Sequence, residues 1–99
     1  MWLKVFIFDI VKEKFTTSTV NHSKECTCIH AIKDADGYLI ASGSDDGVLV
    51  LMHYKPSTSE LDIRSVKNIA DRAIIGIHLS STYAILTMYN DNSVFVNHF

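Results

Sequence analysis

Apolar runs of four to seven residues recur along this chain, each bounded by residues with turn chemistry. Val5-Phe6-Ile7-Phe8 and Val48-Leu49-Val50-Leu51 are typical. Their β-branched and aromatic side chains suit a pleated, packed surface. No three-four spacing persists over a helix-sized window, so the periodicity predicts strands. Nine are expected, at approximately 3–10, 14–20, 26–32, 38–43, 48–54, 60–66, 73–79, 83–89 and 93–99. One alternative stays open near Val66–Ala73, where Lys67, Asp71 and Arg72 surround Ile69 and Ala70 in a pattern a helix could also use.

The clearest turn is Ser42-Gly43-Ser44-Asp45-Asp46-Gly47, between two apolar runs. Glycine and aspartate tolerate the positive φ of a tight hairpin, and a short carboxylate can bond nearby backbone amides. Asn90-Asp91-Asn92 repeats this logic between 83–89 and 93–99. Lys33–Gly37 and Ser80-Ser81-Thr82 are also turn-like. Consecutive antiparallel hairpins follow.

These hairpins repeat. Lys4–Ile10 aligns with Val48–Tyr54 and again with Ser93–Phe99, and the equivalent positions Phe8, Met52 and Asn97 lie 44 and then 45 residues apart. Cys26–Ile29 aligns with Ile74–Ile77. Such a period is close to the ~40–45 residues of a four-stranded propeller blade. A blade packed between neighbours is apolar on both faces and reads as unbroken apolar runs, as 48–52, 73–77 and 84–88 do.

On Asn21-His22, Cys26–Ile29, Ala41–Gly47 and Leu51-Met52-His53-Tyr54 the chain resembles the WD-repeat β-propeller family, as a carboxy-terminal segment of about two repeats. These stretches look like the family's Gly-His, inner strand, Ser-Gly-Ser-x-Asp-Gly turn and Trp-Asp strand end. Phe8-Asp9 looks like a further Trp-Asp pair. Met52-His53 and Asn97-His98 depart from that dipeptide, and Ile69-Ala70 stands where a second Gly-His belongs. The resemblance implies an all-β fold of antiparallel four-stranded blades in an incomplete ring. Residues 1–20 end one blade, 21–66 form a complete one, and 67–99 supply three strands of the next. It also implies a structural hydrogen-bond network of His22, Ser42 and Asp46, with Asp91 in the following copy. Propellers close with four to eight blades, so the remainder of a longer propeller, or copies of this chain, is expected to complete the ring. A standalone or self-assembling β-sheet protein is the alternative.

Composition narrows the function classes. The 99 residues are 47% apolar and 20% charged, with a net charge of −2 and one proline. That describes a folded domain. No basic cluster exceeds two residues, so the electrostatic footprint of a nucleic-acid binder is missing. Asp9 interrupts the only apolar stretch near the start, and nothing approaches the ~18 continuous apolar residues of a membrane helix. With two cysteines and no secretory signal, an intracellular chain, cytoplasmic or nuclear, is expected.

Candidate chemistry weighs mostly toward structure. Cys26-x-Cys28-x-His30 resembles a metal motif, but strand residues two apart lie ~6.6 Å apart and those four apart ~13 Å. Ligand bonds of ~2.0–2.3 Å cannot join Cys26 and His30 from an extended strand, so buried thiols are expected. No nucleophile elbow or phosphate loop accompanies the five histidines. Asp45 and Asp46 read as hairpin residues. No catalytic residue, metal site or cofactor is therefore expected.

The expected function is a non-enzymatic protein–protein interaction scaffold. Its contact surface is placed on the loops carrying Asn21, Ser23, Lys24, Glu25, Asp45, Asp71 and Arg72, because loops carry binding more often than packed strands do. The opposite rim carries Asp34, Asp36, Lys55, Pro56 and Ser57. A scaffold subunit that positions RNA, for example tRNA, or DNA for a partner enzyme is the alternative, against which the charge argues.

Overall fold

The computed structural model describes residues 2–10, 12–21, 25–89 and 93–99. Nine strands follow one another: β1 (Trp2–Asp9), β2 (Lys14–Asn21), β3 (Cys26–Asp34), β4 (Gly37–Ser44), β5 (Val48–Lys55), β6 (Glu60–Asn68), β7 (Ile74–Leu79), β8 (Tyr83–Met88) and β9 (Val94–His98). No helix forms among the described residues. The alternative near 66–73 is thereby corrected. β6 continues to Asn68, where pairing with Val48 offers the backbone more than an isolated helical turn could. Residues 69–73 are irregular and return the chain to β7.

Every pairing is antiparallel, and the strands form three meanders. β1 pairs with β2, β3–β6 form a four-stranded sheet in sequence order, and β7–β9 form a three-stranded sheet. Two bulges punctuate the four-stranded sheet, one at Cys26/Cys28 and one at Leu51/Met52. The first has a purpose. It leaves Thr27 without a register partner, and the Thr27 hydroxyl lies between the carbonyls of Gly43 in β4 and Ile74 in the next sheet, with a hydrogen bond to each.

The middle of β4 and β5 is buried on both faces, which explains why their sequences are continuous apolar runs instead of alternating ones. One face carries Leu39, Ala41, Leu49 and Leu51 against Ile74, Leu79, Ala84, Leu86 and Met88 of the third sheet. The other carries Ile40, Val50, Met52 and Tyr54, with Ile7 of β1 and Leu61 of β6 packed against them. Leu49 and Met52 are sequestered almost completely, each worth roughly 1.5–3 kcal/mol of transfer free energy.

Sheets meet through corresponding strands. β3 and β4 pack on β7, and β2 packs on β6. First strand thus faces first strand, and last faces last. Polar bonds fix the inner contact: the Leu79 N–H donates to His30 Nδ1 at 3.0 Å, and the His30 and His78 rings stack with centroids 5.7 Å apart. Among the described residues nothing covers the outward face of the third sheet in this way, and Ile75, Val94 and Val96 lie about half exposed there.

Candidate functional site

The loops at one end of the sheets are laced together. The Asp45 N–H donates to the Glu25 carbonyl at 2.8 Å, the Ile69 N–H to Gly47 at 2.9 Å, and the Tyr89 N–H to Ala73 at 2.9 Å. Arg72 Nη2 donates to Ser93 Oγ at 3.0 Å. Gly47 makes this possible. Its φ is +83°, and an added Cβ would lie 2.1 Å from the Ala70 carbonyl oxygen. Only glycine admits both the turn and the loop folded over it.

Of the expected interaction surface, the structure brings Glu25, Asp45 and the loop of Asp71 and Arg72 to this rim. Glu25, Asp45 and Asp71 are exposed, and Arg72 is half-buried. Asn21 ends β2, while Ser23 and Lys24 lie outside the described residues. His22 and Asp91, expected in the hydrogen-bond network, also lie outside them. Ser42 is fully buried in β4 opposite Val50. Asp46 accepts a hydrogen bond from Ser44 Oγ. Ser44, which sequence reasoning did not single out, is itself fully buried, and its oxygen accepts from the Val48 N–H at 3.1 Å. It spans the turn from inside.

Cys26, Cys28 and His30 are each half-buried along β3, but the bulge between Cys26 and Cys28 breaks the alternation: Cys28 and His30 pair with Gly43 and Ala41, and Cys26 with Ser44. The Cys28 thiol points to the Ile74 carbonyl at 3.5 Å, and both thiols are pushed above their ordinary pKa chiefly by burial. They stay protonated at neutral pH, which makes them weak nucleophiles and poor metal ligands.

The opposite rim holds a cluster that no sequence spacing announced. Asp34, at the end of β3, and Asp36, in the following turn, face His53 of β5. His53 Nε2 lies 3.0 Å from Asp36 Oδ1 and 3.8 Å from Asp34 Oδ2, while Lys55 Nζ approaches Asp36 Oδ2 at 3.9 Å. Gly37 allows the hairpin to sit this low over β5, since a Cβ there would lie 2.0 Å from the Tyr54 carbonyl oxygen. Beside it, an open apolar cleft of about 400 Å³ runs between the first and second sheets, lined by Ile7, Phe8, Ile10, Tyr38, Tyr54 and Pro56 among others.

Fold and geometry together define an all-β protein of stacked antiparallel meanders with two chemically different rims. No family model, no curated protein and no solved structure matches the chain. No helix among the described residues is long and apolar enough to cross a membrane.

Proposed function

We propose that this chain is a section of a WD-repeat-type propeller that serves as a non-enzymatic protein-binding scaffold. The four-stranded sheet then corresponds to a complete blade, and the two- and three-stranded sheets to parts of its neighbours. One observation carries the reading: three consecutive meanders stack face to face with corresponding strands opposed, β3 on β7 and β2 on β6. Radial stacking of repeated blades produces that correspondence, because each blade keeps its first strand toward the axis and its last toward the periphery. Met52 fits the same scheme, buried where the family places an aromatic. The half-exposed Ile75, Val94 and Val96 lie on the face where the next blade stacks.

The contact surface in this reading is the laced rim with Glu25, Asp45, Asp71 and Arg72. Backbone bonds between its loops hold these groups in fixed positions, which lowers the ordering cost of binding. A photoreactive side chain at position 45 tests it, with the same group at position 57 on the opposite rim as the control. The scaffold reading expects a discrete protein adduct from position 45. That adduct should vanish in the double reversal Glu25→Lys, Asp71→Lys made in the chain labelled at position 45, whose circular dichroism should match the parent's. An adduct that survives the reversal, or nucleic acid captured in its place with steep salt sensitivity, contradicts it.

A further inference from the structure

His53 is 3% exposed, yet its Nε2 makes no hydrogen bond. A buried imidazole nitrogen without a partner is costly, and native structures rarely tolerate one. The atom is not isolated. Asp36 Oδ1 stands 3.0 Å away, well within reach, so what fails is direction: the oxygen lies off the N–H axis. An ordinary histidine–aspartate pair places the carboxylate along that axis. Here Asp36 and Asp34 flank it instead, with the three donor atoms all within 4.8 Å of one another.

We propose that Asp34, Asp36 and His53 form a binding site for a divalent first-row transition cation. With ligand bonds of about 2.0–2.2 Å, neighbouring donors around one ion stand about 3 Å apart and opposed donors about 4.2 Å. The 3.0 and 3.8 Å separations from Nε2 fall in that range, and an ion on the imidazole lone pair leaves a neighbouring carboxylate off-axis in just this way. One imidazole with two carboxylates favours zinc, cobalt, nickel or manganese over calcium and magnesium, which prefer oxygen alone. Asp34 is oriented for the task. Its Oδ1 accepts the Ala35 N–H at 2.9 Å, which leaves Oδ2 facing His53. Asp36 is largely exposed, so water completes the coordination sphere.

Lys55 is the opposing influence. Its ammonium, 3.9 Å from Asp36 Oδ2, offsets one negative charge in the metal-free site. It is nearly half exposed and free to swing into solvent when a dication enters. The bound ion ties the β3–β4 hairpin to β5, so it holds together one end of the sheet without altering either strand.

Zinc titrated by calorimetry into the purified chain, with magnesium and calcium as comparisons, is the test. One zinc per chain is expected, at least tenfold tighter than either alkaline-earth ion, with melting raised by about 5 °C or more at saturating zinc. Cobalt gives a second readout through the visible bands of a nitrogen- and oxygen-ligated ion. Asp34→Asn and Asp36→Asn, both at a solvent-accessible hairpin, should each weaken zinc binding at least tenfold. Lys55→Ala should tighten it severalfold, a result that a generic acidic patch and a collapsed fold both fail to give. His98→Gln, on the third sheet, should leave it unchanged. No zinc binding below millimolar concentration overturns the proposal. So does binding that survives both asparagine variants or disappears with His98.

Discussion

The two ends of the four-stranded sheet are both hairpin rims, and they solve the problem of polar groups differently. At the Ser44–Gly47 end, donors and acceptors find partners within the chain: Ser44 bonds Asp46 and Val48, Asp45 bonds Glu25, and Gly47 bonds Ile69. At the Asp34–Asp36 end, a buried nitrogen and two carboxylates gather without closing a hydrogen bond between them. The Ser44–Gly47 turn is closed by the chain's own groups. The other end is arranged for something to be added.

The largest test of this contrast is Gly47→Ala. The new Cβ meets the Ala70 carbonyl in a left-handed backbone, so a loss of roughly 2–4 kcal/mol is expected in denaturant unfolding. Ser44→Ala comes next, at about 1–3 kcal/mol, because it strips partners from Asp46 and the Val48 amide in a buried place. Smaller again is the alkaline response. Burial raises both thiols of β3, so the unfolded chain loses their protons first as pH climbs. Their contribution is therefore fully present at neutral pH and is lost as pH rises through the ordinary thiol range toward the raised values, an effect that Cys26→Ser with Cys28→Ser should flatten in melting curves taken against pH. Smallest is Asp36→Asn without added metal, expected within about 0.5 kcal/mol of the parent, since an exposed carboxylate with poorly aligned partners contributes little. A loss above 2 kcal/mol there would show a rim already complete in itself.

The same contrast explains what the sequence could reveal. The Ser44–Gly47 rim is built from local chemistry, with a turn whose glycine, serine and aspartates lie within four residues, and it was readable. All nine strands were too, since both-face burial of β4 and β5 writes itself as unbroken apolar runs. β3 and β6 run two residues past their expected ends because pairing with Gly37 and Val48 carries them on. The Asp34–Asp36–His53 cluster was illegible. His53 reaches Asp36 only because the β4–β5 register sets it opposite Leu39, two residues beyond Gly37. Spacing along the chain holds no trace of that. Cys26-x-Cys28-x-His30, set aside as a metal motif on strand spacing, is the opposite case: it is compact in sequence but drawn out along a strand, and Cys28 and His30 turn to Ile74 and Leu79 of the next sheet.

Stacking of corresponding strands is the claim on which the propeller reading rests, and nuclear Overhauser contacts in the labelled chain measure it directly. The account predicts contacts from the Leu79 amide proton to the His30 ring and from the Cys28 side chain to Ile74, together with contacts from Ile7 to Val50 or Met52. A spectrum with every contact inside the three meanders and none between β3 and β7 would contradict it.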